Sequence, residues 1–185
     1  MIPGTSLALV SLGSNIDARA NLSRAVALLA ERSDVHAVSR VWRSKAVGGD
    51  GPDFLNAAVA VATSLDAAAF KFALLRPIEA ALGRVRTGNR FAPRTIDLDL
   101  ALFGDAVVNR ADGHGGRLRL PDPDIVRYAH VAVPLADIAG DLRLPGDGRR
   151  LRDIAAACVA VDAEAGRAVP RVVLGLDLAA ATMLR

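Results

Sequence analysis

Residues 83–100 have the sequence Gly-Arg-Val-Arg-Thr-Gly-Asn-Arg-Phe-Ala-Pro-Arg-Thr-Ile-Asp-Leu-Asp-Leu, in which four arginines precede two alternating aspartates. From Thr95 to Leu102 the large apolar residues occupy every second position, which predicts a β-strand with one face in a core. Asp97 and Asp99 lie on the other face, roughly 6–7 Å apart by the rise per residue. The elements on either side of this strand decide the fold.

The chain before this strand is predicted to form three strands and two helices. Apolar runs indicate strands at 7–12, 35–42 and 54–63. Helical spacing indicates helices from Asn21 to about 32 and from 65 or 66 to 82, with Asn21 and Asp66 as N-caps. Pro77 is expected to bend or break the second helix. Residues 43–53 are rich in glycine and predict a loop.

The chain after the strand at 95–103 is predicted to add smaller elements. They are a turn at 104–105, a short return at 106–108, a polar stretch at 109–116, a strand at 117–120, two short helices broken near Pro134 and ending at 139, a helix at 151–161 and a last strand at 172–176. The order β-α-β-β-α-β predicts a ferredoxin-like α+β fold. We expect an antiparallel sheet with helices packed on it in three layers, within one domain spanning 1–185.

Composition narrows the function classes. Of 23 basic residues only Lys45 and Lys71 are lysine, and arginine suits phosphate and carboxylate groups, although a GC-rich genome gives the same bias. The pI of 9.7 keeps RNA binding as an alternative, but a net charge of +3 and 4% aromatic residues are low for a base-stacking surface.

The single Cys158 excludes an internal disulfide and a cysteine-based zinc site. A cytoplasmic location without a membrane partner is expected, since no apolar run approaches ~18 residues.

The central stretch combines two kinds of group that phosphoryl transfer requires. Carboxylates two residues apart on a strand can hold one or two Mg²⁺ ions, and nearby arginines can bind phosphate oxygens. A solvated strand face with surface ion pairs is the alternative, which we consider weaker because strands disfavour aspartate. Gly13-Ser14-Asn15 after the first strand is more typical of a tight turn than of a phosphate loop, because it lacks a Walker lysine.

Four ordered blocks resemble a known family. They are Ser11-Leu-Gly-Ser-Asn15, Asp53-Phe-Leu-Asn-Ala-Ala-Val59, Ile78-Glu-Ala-Ala-Leu-Gly-Arg-Val-Arg86 and Pro93-Arg-Thr-Ile-Asp-Leu-Asp-Leu100 with Phe103-Gly104. Together they are similar to 6-hydroxymethyl-7,8-dihydropterin pyrophosphokinases of the folate pathway, over residues 7–157. The resemblance implies a ferredoxin-like core and transfer of the diphosphate of ATP to a pterin hydroxymethyl group with two Mg²⁺. It leaves 158–185 as a C-terminal extension.

The resemblance also implies residue roles. Asp97 and Asp99 would be the metal ligands, and with Arg84 and Arg94 they are the candidate catalytic residues. The implied ATP-binding residues are Glu79, Arg84, Arg86, Arg90, Arg94, Leu100, Arg117, Arg119 and Asp122. The implied pterin-binding residues are Ser44, Val47, Phe54, Asn56 and His130, and Phe91 takes a lid position.

The chain departs from the family pattern at Pro121-Asp122-Pro123 and Tyr128-Ala129-His130, where Pro-His-Pro and Arg-x-Phe are usual. Asp122 and Tyr128 weaken the positive field around ATP, for which Arg127, or Arg117 and Arg119, can compensate. His130 replaces the phenylalanine of the pterin clamp.

The sequence therefore predicts a pterin kinase of this family, as a monomer or homodimer without a nucleic-acid partner. A diphosphokinase for a different pterin and a non-catalytic module that binds nucleotide or RNA are the alternatives. Formation of AMP separates catalysis from binding.

Overall fold

A computed structural model describes residues 4–47, 51–86, 92–111 and 117–182 of the chain. Its strands are β1 (Ser6–Ser14), β2 (Asp34–Val38), β3 (Trp42–Ser44), β4 (Phe54–Thr63), β5 (Asp97–Phe103), β6 (Val108–Ala111), β7 (Arg117–Leu120) and β8 (Arg171–Val172). The main sheet has the order β5-β1-β4-β3-β8, and β2 also pairs with β4. All its pairings are antiparallel, and β6 and β7 form a separate two-stranded sheet.

Helices cover both faces of the main sheet. They are α1 (Ala18–Arg32), α2 (Ala67–Ala69), a π-helical segment (Phe70–Leu75), α3 (Arg76–Ala81), α4 (Ala129–Ala139) and α5 (Leu151–Glu164), with 3₁₀ turns at Pro123–Val126 and Ala179–Thr182. Alternation along β1 sends Val10 into a core with Leu29 and Phe70, and Leu9 into a second core with Leu135 and Ile154. The predicted ferredoxin-like three-layer α+β fold is confirmed.

The strand predicted at 35–42 is wrong as a single element, because it is divided into β2 and β3. The hydroxyl of Ser39 accepts a 2.8 Å hydrogen bond from the Ala58 N–H of β4, replacing a backbone acceptor of the ladder. Arg40 turns away to form an ion pair of 2.5 Å with Asp137 on α4. The break therefore ties the start of β3 to the helical layer.

The N-cap predictions have different outcomes. Asp66 is confirmed, since its carboxylate accepts a 2.8 Å hydrogen bond from the Ala69 N–H. Asn21 is not an N-cap: α1 begins at Ala18, after Asp17 in a left-handed conformation with φ of 45°. The Asn21 amide is buried and donates instead to the Ile16 carbonyl at 2.8 Å.

The two predictions about prolines have different outcomes: Pro77 lies where the helix type changes, whereas Pro134 does not divide its helix. Pro77 lies in the first turn of α3, directly after the π-helical segment, where the Arg76 N–H donates to the carbonyl of Lys71 five residues earlier. The π-helical turn therefore takes up the change in hydrogen bonding before the proline. Pro134 lies inside α4, which runs without interruption as one helix instead of two.

The C-terminal part also differs from prediction. The helix predicted at 151–161 extends to Glu164 with Cys158 buried inside it, so the expected boundary at 157/158 falls within α5. The last strand is only Arg171–Val172, because a turn follows with Gly175 at φ of 71°. The return predicted at 106–108 is instead β6, which begins at Val108 and occupies the start of the predicted polar stretch. In the part of the chain that the structure describes, no helix is long and apolar enough to cross a membrane.

Candidate active site

One transverse row of residues crosses the main sheet at the site. Asp97 of β5 lies opposite Gly13 of β1, Gly13 lies opposite Asn56 of β4, and Asn56 lies opposite Trp42 of β3. Residues opposite each other in antiparallel strands point to the same face, and neighbouring strands are about 4.8 Å apart. The Asp97 carboxylate and the Asn56 amide therefore flank a glycine, two strand spacings apart.

Gly13 leaves open the surface between these two side chains. A Cβ atom at this position would meet Asn56 Oδ1 at 3.5 Å and the Phe54 ring at 3.8 Å. A larger side chain would fill the space above β1. The glycine interpreted from sequence as a turn residue is therefore part of β1 and forms the floor of a cavity.

All five predicted pterin-binding residues line this cavity. Its walls include Ser44, Val47, Phe54, Asn56 and His130, together with Arg94, Asp97 and Asp99. The residues predicted to bind the pterin therefore line the same cavity as Asp97 and Asp99, predicted to bind metal, and Arg94, predicted to bind phosphate. Lys45, Asp124 and Val131 also line the cavity and were not anticipated; no motif marked them.

The Asn56 amide is held in a fixed orientation. Its Nδ2 donates hydrogen bonds to the Trp42 carbonyl at 3.2 Å and to the Ser44 hydroxyl at 3.0 Å. Oδ1 is thereby turned towards the space above Gly13. The side chain thus offers an amide oxygen as acceptor to a ligand in the cavity.

Aromatic side chains border the cavity on two sides. The Arg94 guanidinium lies over the Phe54 ring at 5.6 Å from its centroid. His130 lies in the first turn of α4 and stacks on Tyr128, with 5.2 Å between the ring centroids. Burial lowers the pKa of His130, so its imidazole is neutral near pH 7 and can stack against a flat ring.

Two arginines approach Asp97. Arg94 forms a short ion pair with its carboxylate, and Nη2 of Arg84 lies 3.7 Å from Oδ1. The Arg84 side chain is only 11% exposed, and within the described residues its Nε has no hydrogen-bond partner. This predicted pair of arginines is therefore placed beside Asp97, one of the two predicted metal ligands.

Asp99 is held in an electrostatically unfavourable position. Burial, followed by repulsion from Asp97 and Asp122, raises its pKa to about 7. A divalent cation would offset this accumulation of negative charge. The site thus fits a metal ion on electrostatic grounds.

Glu79 connects α3 to the aspartate strand. It is 2% exposed and accepts hydrogen bonds from Arg76 at 2.7 Å, Arg86 at 2.6 Å and the Leu98 N–H at 2.9 Å. Burial raises its pKa to about 8 against the opposing effects of the Leu98 N–H and Arg76. The geometry therefore places Glu79 and Arg86 in a supporting network behind β5.

A second cavity adjoins the first. It brings together the predicted ATP-binding residues Leu100, Arg117, Arg119 and Asp122 with Asp99. Both cavities are lined by Asp99 and Asp124, so the two meet at these carboxylates. Lys71, which was not among the predicted site residues, also lines the second cavity from the π-helical segment. The signal in the sequence that could have indicated it is that lysine occurs at only two positions.

The departures from the family pattern have a structural basis. The Asp122 carboxylate accepts a 2.9 Å hydrogen bond from the Asp124 N–H and so caps the 3₁₀ turn at Pro123–Val126. Burial raises the pKa of Asp122. Arg127 lines the second cavity, as the compensation hypothesis requires, and lies 3.8 Å from Asp124. Arg90 and Phe91 lie outside the described residues.

The donor set limits how a metal could bind. Among the described residues no group of three or more His, Cys, Asp or Glu side chains is arranged to hold an ion. Mg²⁺ is commonly bound by one or two carboxylates with substrate phosphates completing the coordination. Asp97 and Asp99 fit that mode and do not fit a closed, all-protein metal site.

Comparison with known proteins identifies the family. The family described as 7,8-dihydro-6-hydroxymethylpterin-pyrophosphokinase (HPPK) matches residues 9–140. The chain belongs to the HPPK family. The family prediction drawn from the four sequence blocks is confirmed.

Curated relatives and solved structures agree with HPPK membership. The chain is 39% identical over 153 residues to a Pseudomonas aeruginosa 2-amino-4-hydroxy-6-hydroxymethyldihydropteridine pyrophosphokinase, covering 80% of this chain and 90% of the relative. It is 42% identical over 144 residues to the Methylorubrum extorquens protein of the same name, covering 76% and 87%. The wild-type Plasmodium falciparum HPPK-DHPS crystal structure has a TM-score of 0.69 at 12% identity, which shows a shared fold, covering 87% of this chain and 46% of that one.

Proposed function

We propose that the chain transfers the diphosphate of ATP to the hydroxymethyl group of 6-hydroxymethyl-7,8-dihydropterin, giving AMP and the pterin diphosphate. The observation that carries this proposal is the row in which Asp97 and Asn56 flank Gly13 in one cavity. It offers carboxylates for metal-bound phosphate at one end and an amide for a ring edge at the other. The distance between them suits a bicyclic ligand lying over the glycine.

The pterin would lie in the first cavity and the triphosphate in the second. The pterin hydroxyl oxygen forms a bond to the β-phosphorus as the bridge between the α- and β-phosphates breaks, and the hydroxyl proton passes to solvent. Asp99 lines both cavities, which is where the two substrates must meet. Such direct in-line transfer needs positioning and charge stabilisation more than covalent catalysis.

Asp97 and Asp99 would hold two Mg²⁺ ions, which supply charge neutralisation and lower the pKa of the pterin hydroxyl. A metal ion at Asp97 would compete with Arg94 for the carboxylate. Arg94 and Arg84 would then be positioned to contact phosphate oxygens, and the Nε of Arg84 has no hydrogen-bond partner within the described part of the chain. The same two arginines would thus serve the carboxylate before ATP binds and the triphosphate afterwards.

Further expectations belong to this proposal. Arg86 and Glu79 act as supporting groups, while Leu100, Arg117, Arg119 and Asp122 border the nucleotide. Arg90 contacts the nucleotide and Phe91 acts as a lid. The protein works in the cytoplasm as a monomer or homodimer, without nucleic acid.

A related pterin is the second candidate substrate. The observation that favours it is the imidazole of His130, which stacks on Tyr128 and replaces the phenylalanine that the resemblance assigns to the pterin clamp. An imidazole offers a smaller and more polar face than a phenyl ring. Comparing kcat/KM for pterins that differ in the substituent at carbon 6 decides between the two.

Formation of AMP from ATP, Mg²⁺ and the pterin tests the proposal. Purified wild-type protein is expected to form AMP, and Asp97→Ala and Asp99→Ala are expected to lower kcat by at least roughly 100-fold. Asp105→Ala, in the exposed turn after β5, is the matched control and should retain activity. A wild-type protein that binds ATP but forms no AMP with any pterin would leave the binding-module alternative.

A further inference from the structure

The C-terminal segment 165–182, called the tail below, reaches the pterin side of the site. Its strand β8 pairs antiparallel with β3, with Val172 opposite Trp42 and Arg171 opposite Arg43. The Val173 N–H donates a 2.8 Å hydrogen bond to the Val41 carbonyl. The tail therefore covers the edge of the sheet that carries Ser44.

Two buried side chains anchor the tail to the main core. Val173 is 8% exposed and Leu178 is 1% exposed, and both belong to the core shared with α1. Leu174 between them is 84% exposed, so burial is specific to the anchoring residues. The tail is thus packed onto the sheet by its own apolar side chains as well as by strand pairing.

The row of the active site continues into the tail. Trp42, which lies opposite Asn56, also lies opposite Val172. The Trp42 carbonyl and the Ser44 hydroxyl are the two acceptors that orient the Asn56 amide. β3 is only three residues long, so its position depends strongly on its neighbours on each side.

A second connection between the tail and residues 44–47 is made across a chamber next to the pterin cavity. Residues 44–47 line it together with Asp162, Arg167, Ala168 and Pro170 of α5 and the tail, and Arg127, Tyr128 and His130 complete the lining. Its volume is about 530 Å³. Arg167 is fixed there by an ion pair of 2.9 Å with Asp162 and by its N–H, which donates to the Asp162 carbonyl at 2.8 Å. The start of the tail therefore faces the residues that close the pterin cavity.

We propose that the tail is a positioning element for pterin binding, which holds β3 and residues 44–47 in place for Asn56 and acts on pterin affinity without acting on ATP affinity. This inference rests on the proposed function. It assigns a role to the part of the chain beyond the residues matched by the family, which end at 140. The tail residues named above do not line the cavity that contains Lys71, Arg117 and Arg119.

Two proline substitutions in the full-length chain test the proposal. Val173→Pro removes the N–H that bonds to Val41. Leu174→Pro is the matched control, because Leu174 is exposed and precedes Gly175 at positive φ, as proline does at the second position of a type II turn. Steady-state KM values for both substrates are measured, together with the emission of Trp42, the only tryptophan of the chain.

Val173→Pro is expected to raise the pterin KM roughly 3- to 10-fold, the equivalent of one lost hydrogen bond, to leave the ATP KM unchanged and to shift Trp42 emission. Leu174→Pro should behave as wild type. Since Val173→Pro could also unfold the chain, Arg167→Ala is a milder second variant, with Arg171→Ala as its control. It should raise the pterin KM alone.

An unchanged pterin KM in both Val173→Pro and Arg167→Ala, or an equal rise in the KM of both substrates, would overturn the tail's role while leaving the proposed function intact. A wild-type chain that neither binds nor converts any pterin contradicts the proposed function itself.

Discussion

The carboxylate of Glu79 accepts a 2.9 Å hydrogen bond from the backbone N–H of Leu98, the residue between Asp97 and Asp99. This bond fixes the position of β5 along its strand direction relative to α3. Arg76 and Arg86 contact the other carboxylate oxygen of Glu79. One buried side chain therefore connects α3, Arg86 and β5.

Replacing Glu79 is expected to weaken the fold and the site together. Glu79→Ala leaves the Leu98 N–H without its acceptor and should lower the free energy of unfolding by about 1–3 kcal/mol. Glu79→Gln keeps an acceptor oxygen and should lose less. Urea unfolding measures both, and Glu31→Ala, at an exposed position on α1, should be close to wild type. Equal stability of Glu79→Ala and wild type would contradict this role.

The raised pKa values of Glu79 and Asp99 predict the pH dependence of stability without Mg²⁺. Their pKa values rise from 4.5 to about 8 and from 3.8 to about 7, so the folded state binds more protons than the unfolded state between these limits. Stability should therefore fall as pH rises from about 5 to 8. Asp99→Asn should flatten the fall in denaturation curves recorded at each pH, and an unchanged slope would refute the assignment.

The lowered pKa of Asp137 predicts that the free energy of unfolding falls as the pH is lowered into the acid range. Its burial raises the pKa, but the hydrogen bonds from the Arg40 side chain and backbone outweigh burial and lower it. The ion pair with Arg40 therefore stabilises the protein at pH values above the pKa that Asp137 has in the unfolded chain. This stabilisation is lost as the pH falls through the lower pKa that Asp137 has in the folded chain. Asp137→Asn should lower stability at pH 7 and reduce the loss of stability below pH 4, measured by thermal unfolding; Asp141→Asn, more exposed at 74%, should change neither.

Lys71 is expected to bind the triphosphate. It lines the second cavity together with Arg117 and Arg119, and its charge partly opposes the rise in pKa that burial causes in Asp99 and Asp122. Lys71→Ala should raise the ATP KM roughly 3- to 10-fold by removing one charge-assisted contact, with the pterin KM unchanged. Arg110→Ala, exposed on β6, is the control. A change in the pterin KM with no change in the ATP KM would contradict a role for Lys71 in binding the triphosphate.

Asp122 combines a capping role with an unfavourable charge. Asp122→Asn keeps a side-chain oxygen for the Asp124 N–H while removing the charge, so ATP affinity should rise several-fold with stability retained. Asp122→Ala should lower the free energy of unfolding by about 1 kcal/mol through loss of the cap. Titration calorimetry and urea unfolding separate the two effects. No gain in ATP affinity for Asp122→Asn would mean that the phosphate cleft requires this charge.

Sequence patterns were sufficient for β1, β4 and β5 and for the residues that line the first cavity. Strict alternation placed β5, and the quoted blocks placed Phe54 and Asn56 in the cavity with Asp97. Patterns failed where a side chain replaces a backbone partner, as Ser39 does between β2 and β3. They also failed at Pro134, which lies inside α4 without dividing it into two helices.

The remaining differences arise from tertiary contacts. Lys71 could not be assigned to the phosphate cleft from helical spacing, since the π-helical turn changes which face it occupies. The role of Val173 depends on pairing between β8 and β3, which are separated by more than a hundred residues. Such a short strand carries no periodic signal, so only the assembled sheet reveals its place.

The most direct test of the central claim is the identity of the phosphorus-containing products. Phosphorus NMR of a reaction containing wild-type protein, ATP, Mg²⁺ and 6-hydroxymethyl-7,8-dihydropterin should show AMP and a pterin diphosphate appearing in equal amounts, and neither with Asp99→Asn. Formation of ADP with a pterin monophosphate, or of AMP with free diphosphate, would contradict transfer of an intact diphosphate to the pterin hydroxyl between Asn56 and Asp97.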